Sequence, residues 1–159
     1  MKIVTFGEIL LRLSKTGSRR LFQSGGFTAN YGGSEANVAV SLAQLGDKVE
    51  YVTSVPDNLI GDAALNHLRQ LGVDVSHVVR MGKRLGAYYF EPSASLRNTN
   101  VVYDRDDSSF NTLSHGDIDW ASVFSDATLF HCSGITCATS RDALETTMDA
   151  VQLAHERGI

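Results

Sequence analysis

Short β-prone runs alternate with segments of helical periodicity along most of this chain, and glycines commonly stand where one element ends. Ile3 to Phe6 is a β-prone run stopped at Gly7, and from Ser34 apolar residues recur at helical spacing until Gly46. Such alternation is typical of a doubly wound α/β layer with mostly parallel strands. The predicted strands of this layer span 3–6, 49–55, 75–79 and 127–132, and the predicted helices span 34–45, 62–71, 117–124 and a long stretch from 139.

Two parts of the chain break this alternation and predict a second, smaller sheet. Residues 86–91 and 98–103 are β-prone and flank a polar turn, which indicates a hairpin with a longer loop. Stretches near 10–13 and 27–31 are predicted to join this hairpin. The accessory β flap therefore comes from two insertions, at about 9–31 and 86–105.

The C-terminal stretch predicts a long helix after which the alternation stops. The side chain of Thr139 can cap this helix, and Asp142 three residues later completes a capping box. The last residues are Gly158 and Ile159, where the alternation requires another strand. Because an unfilled strand position exposes backbone groups and apolar faces, we expect the chain to be truncated.

Composition argues against several classes of function. Fourteen Lys and Arg against eighteen Asp and Glu give a net charge of −4, which does not favour a nucleic-acid backbone. No run approaches about 18 apolar residues and no signal peptide is present, so we expect no membrane span and a cytoplasmic protein. Two cysteines without CxxC spacing and five isolated histidines predict reduced core thiols and no metal site.

The strongest chemical signal is the run YGGSEAN at residues 31–37, which leads directly into the first predicted helix. Glycines let the backbone approach a ligand closely, and a helix N-terminus offers unpaired amide donors with partial positive charge. Asn37 adds a side chain that both donates and accepts. The run suits a polyhydroxyl or carboxylate ligand, although a glycine turn with an exposed Asn37 explains the spacing equally well. It matches neither GxGxxG nor the Walker loop, so it does not indicate a nucleotide site.

Five short motifs, in order along the chain, resemble the N-terminal half of the ribokinase-like (PfkB) carbohydrate kinases. They are GE at 7–8, GGSEAN at 32–37, PDNLIGD at 56–62, YDR at 103–105 and SGIT at 133–136. Within that family they are most similar to the 2-keto-3-deoxygluconate kinases, because Glu35 and Pro56 stand where many other sugar kinases have small residues. The resemblance covers essentially the whole chain.

The resemblance implies a ribokinase-like α/β fold in which the flap is a lid that closes over the sugar. It also implies ATP and Mg²⁺ as cofactors, bound mainly by a C-terminal half. The GAGD motif of the family, which carries the catalytic aspartate, does not occur in these 159 residues. We therefore predict no catalytic residue here and expect the chain alone to be inactive.

The resemblance also implies which side chains contact the sugar. Tyr103 and Arg105 lie two apart on a predicted strand and face the same side, and arginine can hold a carboxylate bidentately. Without the resemblance, pairing of Arg105 with neighbouring aspartates on a solvated loop is the better interpretation. Glu8 is expected to bond sugar hydroxyls or brace the lid, with Arg12 as a simple ion-pair partner. The substrate-binding residues we expect are Gly33, Asn37, Tyr88, Tyr103, Arg105, Glu8, Gly134 and Ile135.

The sequence therefore predicts the substrate-binding part of an ATP-dependent kinase for 2-keto-3-deoxygluconate or a similar sugar acid, forming a homo-oligomer through its lid. One alternative is a fructokinase or another kinase of neutral sugars or nucleosides. Another is a non-catalytic module that binds sugar acids or dimerises. A GAGD motif encoded beyond residue 159 favours the kinase, and a stop codon there favours the module.

Overall fold

The computed structural model of the chain describes residues 1–17, 19–23 and 25–159. Its strands are β1 (Lys2–Phe6), β2 (Leu10–Lys15), β3 (Phe27–Gly32), β4 (Lys48–Val52), β5 (Ser54–Val55), β6 (Val79–Arg80), β7 (Ala87–Glu91), β8 (Asn100–Asp104) and β9 (Leu129–His131). Its α-helices are α1 (Ser34–Gln44), α2 (Leu59–Gln70), α3 (Trp120–Val123), α4 (Gly134–Cys137) and α5 (Arg141–Glu156). Within these described ranges, no helix combines the length and apolarity that crossing a membrane requires.

The main sheet has three parallel strands in the order β4-β1-β9, with β1 buried along its whole length. Alternate residues of β1 enter two separate cores, because successive side chains of a strand point to opposite faces. Ile3 packs with residues of α1 and α2, whereas Val4 and Phe6 pack with residues of α3 and α5. Helices thus cover both faces of a parallel sheet, which confirms the predicted doubly wound α/β layer.

Aromatic side chains fill the core on the α3 and α5 face. The Phe6 ring meets the Trp120 ring edge-on at 5.2 Å and the Phe110 ring at 5.3 Å. Phe124 and Phe130 extend this cluster against Trp120. Such ring pairs contribute about 0.5–1.5 kcal/mol beyond the area they bury. The packing on this face therefore fixes the C-terminal end of β1, and the candidate site lies next to that end.

A second sheet of four strands lies outside the main one, in the order β3-β2-β7-β8. β2 pairs antiparallel with β3 and parallel with β7, and β7 pairs antiparallel with β8. Residues 86–103 were predicted to form strands off the main sheet, and the strand order agrees with that prediction. We call this four-stranded sheet the accessory sheet.

The region after β4 differs from the prediction in its strands. The run 49–55 forms two strands, because the carbonyl groups of Thr53 and Val55 accept from the amides of Val79 and Met81 in a separate ladder. The predicted strand 75–79 is wrong except at Val79. The Asp74 carboxylate accepts from the Ser76 amide at 2.9 Å, and this local turn competes with an extended backbone.

Helix ends also differ from the prediction by a few residues. α2 begins at Leu59 rather than at 62, because Asn58 Oδ1 accepts from the amides of Ile60 and Gly61. The predicted capping box at Thr139 is wrong. Ser140 caps α5 by accepting from the Ala143 amide at 3.0 Å, while Thr139 donates to a backbone carbonyl of the preceding turn.

The strand before α4 is shorter and more exposed than expected. β9 covers only 129–131 of the predicted run 127–132, and Leu129 is 40% exposed. Within the described ranges its ladder partner is β1 alone, so its other edge has no backbone neighbour. Cys132 and Cys137, which follow it, are free thiols but half-buried, so the expectation of core cysteines is wrong.

Candidate functional site

A cavity of about 270 Å³ lies between the N-terminus of α1 and one face of the accessory sheet. The site is next to the carboxyl end of β1, where ligands commonly bind in open α/β sheets. Seven of the eight residues predicted from the sequence line it: Glu8, Gly33, Asn37, Tyr88, Tyr103, Arg105 and Ile135. Gly134 does not line this cavity; it is exposed and begins the short helix α4 instead of ending a strand.

Gly33 holds the helix end close to the main sheet. A Cβ atom built on Gly33 would lie 2.2 Å from the backbone oxygen of Glu8, so any side chain would push α1 away. Among the described residues, no side chain caps this helix by hydrogen bonding. The first-turn amides that a cap would satisfy therefore stay available beside the cavity, since Gly33 and Ser34 both line it.

The inner face of the accessory sheet forms the opposite wall. Arg12, Tyr88 and Tyr103 occupy matching positions on β2, β7 and β8, so their side chains share one face. The rings of Tyr88 and Tyr103 lie 5.7 Å apart, and Tyr103 is 60% exposed. All three side chains line the cavity, so this wall carries two phenolic hydroxyls and a guanidinium.

Glu8 and Arg105 join the two sheets through a buried ion pair. Arg105 Nε donates to Glu8 Oε2 at 2.7 Å, and its Nη2 donates to the same oxygen. Ser108 Oγ donates to the other carboxylate oxygen at 2.5 Å. The Glu8 side chain is 3% exposed and the Arg105 side chain 19%. The alternative in which Arg105 pairs with its neighbouring aspartates is therefore wrong, as is the expected pairing of Arg12 with Glu8.

Burial has the largest effect on the pKa of the Glu8 carboxyl group. Loss of hydration raises the pKa of this carboxyl group above its ordinary value, although the bonds from Ser108 and Arg105 act in the opposite direction. Gly86 makes the tight packing possible, because a Cβ atom there would lie 2.5 Å from Glu8 Oε1. Glu8 thus braces the base of the accessory sheet, which is one of the two roles expected for it.

Glu35 forms a second buried polar contact that the sequence did not predict. Its carboxylate is 1% exposed and accepts from Thr136 Oγ1 at 2.9 Å and from Ser133 Oγ. This contact ties the first turn of α1 to α4, which carries Ile135 into the cavity wall. The charge of Glu35, after burial itself, helps to raise the pKa of Tyr51 well above its usual range. The only signal for this contact in the sequence was the presence of Glu35 in one motif and of the hydroxyl residues Ser133 and Thr136 in the SGIT motif.

The side chain of Asn37 is exposed, unlike those of Glu8 and Arg105. It has no hydrogen bond to any described residue and lines the cavity one turn into α1. Ile135 is 60% exposed and supplies an apolar contact at the opposite rim. These two residues are therefore accessible to a ligand.

The described residues contain no group of three or more His, Cys, Asp or Glu side chains that could hold a metal ion. Nor does the run at 31–37 have the spacing of a loop that cradles a triphosphate. We therefore derive no chemical step from Mg²⁺ or ATP.

Removing Arg105 tests the buried pair. We expect Arg105→Met to lower the free energy of unfolding by about 3 kcal/mol, because Glu8 would keep its burial without its cation. Arg141→Met is the matched control, since Arg141 pairs with Glu145 on an exposed helix surface, and it should cost less than about 1 kcal/mol. Urea denaturation measures both, and equal losses would contradict a stabilising role for the pair.

The raised pKa of Glu8 predicts a pH dependence. Because the folded state binds the Glu8 proton more tightly than the unfolded chain does, protonation of Glu8 adds to the free energy of unfolding. This added stability is fully present below the ordinary carboxyl pKa of 4.5 and is lost as pH rises through the folded-state pKa. Between about pH 4 and pH 7 the wild type should therefore lose more stability than Glu8→Gln, which cannot titrate. Denaturation of both proteins across this range measures the difference, and a constant or reversed difference would refute the assignment.

Comparison with known proteins agrees with this geometry. The profile of the pfkB family carbohydrate kinases matches residues 1–157. The 2-dehydro-3-deoxygalactonokinase of Haloferax volcanii is 35% identical over 157 residues, which are 99% of this chain and 49% of that protein. The chain spans about half the length of the curated relatives it matches.

Solved structures show the same similarity. The crystal structure of 2-dehydro-3-deoxygluconokinase from Thermotoga maritima matches with a TM-score of 0.97 at 45% identity, over 100% of this chain and 49% of that one. A PfkB family carbohydrate kinase from Listeria grayi matches with a TM-score of 0.96 at 40% identity, over 100% and 50%. The predicted ribokinase-like fold is therefore confirmed, and the chain belongs to the pfkB family of carbohydrate kinases.

Proposed function

We propose that the protein containing this chain is an ATP-dependent kinase that phosphorylates a hydroxyl group of a sugar acid, such as 2-keto-3-deoxygluconate. This chain supplies the part that binds the acceptor sugar. The observation that carries the proposal is the cavity shared by Gly33, which precedes α1, and Arg105, which follows β8 of the accessory sheet. Amide donors on one wall and guanidinium groups on the other suit a small ligand with hydroxyls and a carboxylate.

In this proposal the chain binds and orients the acceptor. The free amides beside Gly33 and the side chain of Asn37 bond hydroxyl or carboxylate oxygens, and Tyr88 and Tyr103 bond the ligand from the accessory sheet. Ile135 packs against its carbon skeleton. We propose that the accessory sheet acts as a lid, whose closure over the ligand excludes water and limits wasteful hydrolysis of ATP.

Kinases of this family use ATP, which supplies the phosphoryl group, and Mg²⁺ would neutralise its charge. Since the described residues include neither a cluster of three metal ligands nor a loop with triphosphate-binding spacing at 31–37, we propose that both bind mainly outside these 159 residues. The GAGD motif is absent from them as well, so we propose that this chain alone is inactive. A kinase that consumes ATP needs a location where ATP is abundant, which supports a cytoplasmic enzyme.

One observation favours the second candidate, a kinase of neutral sugars such as a fructokinase. The charge of Arg105 is already balanced by Glu8, which weakens its attraction for a ligand carboxylate. The hydroxyl-binding groups of the site suit a neutral sugar equally well. Direct comparison of acidic and neutral acceptors therefore decides between the two candidates.

The outer face of the accessory sheet supports the proposal of a homo-oligomer. Leu13, Tyr89 and Val102 lie in register on this face, and Val102 is 54% exposed. Phe22 and Phe27 pack around Tyr89 with ring centres 5.8 and 6.1 Å away, and Phe22 is 77% exposed. We propose that a second copy of the protein covers this aromatic patch in a two-fold contact.

Phosphorylation assays test the proposed function. The gene product at its full encoded length should phosphorylate 2-keto-3-deoxygluconate with a kcat/KM at least about tenfold above that for fructose. Asn37→Ala should raise KM about tenfold without changing Tm, because the side chain bonds no described residue. Asn66→Ala, on the exposed surface of α2, is the control. Equal use of both sugars would favour the second candidate, and no phosphorylation of either would refute a kinase.

Sedimentation equilibrium tests the proposed oligomer. Val102→Asp places a charge beside Tyr89 of the aromatic patch and should convert a dimer to a monomer. Leu96→Asp is the control, because Leu96 is 99% exposed at the tip of the hairpin. A wild-type protein that is monomeric at high concentration would contradict the proposal.

A further inference from the structure

The cavity contains two guanidinium groups whose surroundings differ. Arg105 has a carboxylate partner, Glu8, and the two charges cancel. Arg12 also lines the cavity, one strand away across β7. The remaining acidic side chain of the lining, Glu35, is buried and accepts from two hydroxyls. The two cations therefore offer a ligand different electrostatic environments.

Arg12 is held in place by uncharged groups. Its Nε donates to Ser14 Oγ at 3.1 Å, and its guanidinium carbon lies 4.2 Å from the centre of the Phe90 ring. In the described ranges, Arg12 has no ion pair with a carboxylate, and its two terminal nitrogens have no hydrogen-bond partner. An aromatic face attracts a guanidinium without neutralising its charge. Arg12 thus combines a fixed position with an uncompensated charge and free donors.

The position of Arg12 suits recognition of a carboxylate. It faces the cavity in the same cross-strand row as Tyr88 and Tyr103, opposite the N-terminus of α1. Two terminal nitrogens of one guanidinium can donate to both oxygens of a carboxylate, which an ammonium group cannot match. Because no neighbouring carboxylate cancels the charge of Arg12, its electrostatic attraction for a ligand anion is stronger than that of Arg105.

We propose that Arg12 is the specificity-determining residue of this site, and that it selects acidic over neutral sugars by binding the carboxylate of the ligand. Arg105 then acts mainly as a positioning residue that fixes the accessory sheet through Glu8. This assignment rests on the proposed sugar-binding function of the cavity. In this assignment Arg12 recognises the ligand, and Arg105 stabilises the position of the accessory sheet.

Calorimetry with a matched pair of ligands tests the assignment. The gene product at full encoded length is titrated with 2-keto-3-deoxygluconate and with its methyl ester, which keeps the hydroxyls and removes the charge. Arg12→Met should weaken binding of the acid at least about tenfold and binding of the ester less than about threefold. Methionine keeps an apolar contact with Phe90, so the fold should survive, and Tm verifies this for each variant.

Two further variants separate charge from geometry. Arg12→Lys keeps the charge but loses the planar fork, so its affinity for the acid should lie between those of the wild type and Arg12→Met. Ser14→Ala removes the bond that orients Arg12 and should weaken acid binding more than ester binding. Arg141→Met removes an exposed cation on α5 and should change neither affinity. Higher salt should weaken acid binding in the wild type and have less effect in Arg12→Met.

The outcomes distinguish this assignment from the proposed function. Unchanged affinity of Arg12→Met for the acid, with the wild type binding it, would overturn the role of Arg12 and leave the sugar site intact. Equal losses for acid and ester would also overturn it, because they would indicate a structural effect. Failure of the wild type to bind either ligand would overturn the proposed function and this assignment with it.

Discussion

The buried ion pair between Glu8 and Arg105 is the interaction on which the site depends. Glu8 lies two residues after the end of β1 in the main sheet, and Arg105 directly follows β8 in the accessory sheet, 97 residues later. A buried carboxylate cannot be left without partners at acceptable cost, so the two sheets must meet where this pair forms. The cavity results from that meeting, because one face of the accessory sheet then stands over the N-terminus of α1.

The carboxylates next to the cavity are used for structure. Glu8 is satisfied by Arg105 and Ser108, and Glu35 by the hydroxyls of Ser133 and Thr136. Each joins segments about a hundred residues apart in sequence, which fixes α1, α4 and the accessory sheet relative to one another. We propose that ligand recognition falls to groups that keep free donors, namely the amides beside Gly33, the Asn37 side chain and the terminal nitrogens of Arg12.

Features with a local cause were the ones that sequence reasoning predicted. Helical spacing after Gly33 and alternation around 86–103 reflect how neighbouring residues of the chain are placed, so α1 and the hairpin strands were found. The predicted strand at 75–79 was wrong because the Asp74 side chain forms a turn with Ser76. The predicted cap of α5 was wrong by one residue, because Ser140 rather than Thr139 accepts from the helix amide. Several side chains can compete for such local bonds, and pattern alone does not rank them.

The sequence by itself determined the alternating α/β layer, the glycine-led helix end and the motifs that resemble sugar kinases. Only the tertiary structure decided which charged groups are neutralised. Arg105 has three aspartates close in sequence, yet it pairs with Glu8, and Arg12, expected beside Glu8, stands over Phe90 instead. Electrostatic energy depends on distance and burial in space, and neither is written in the spacing of residues along a chain.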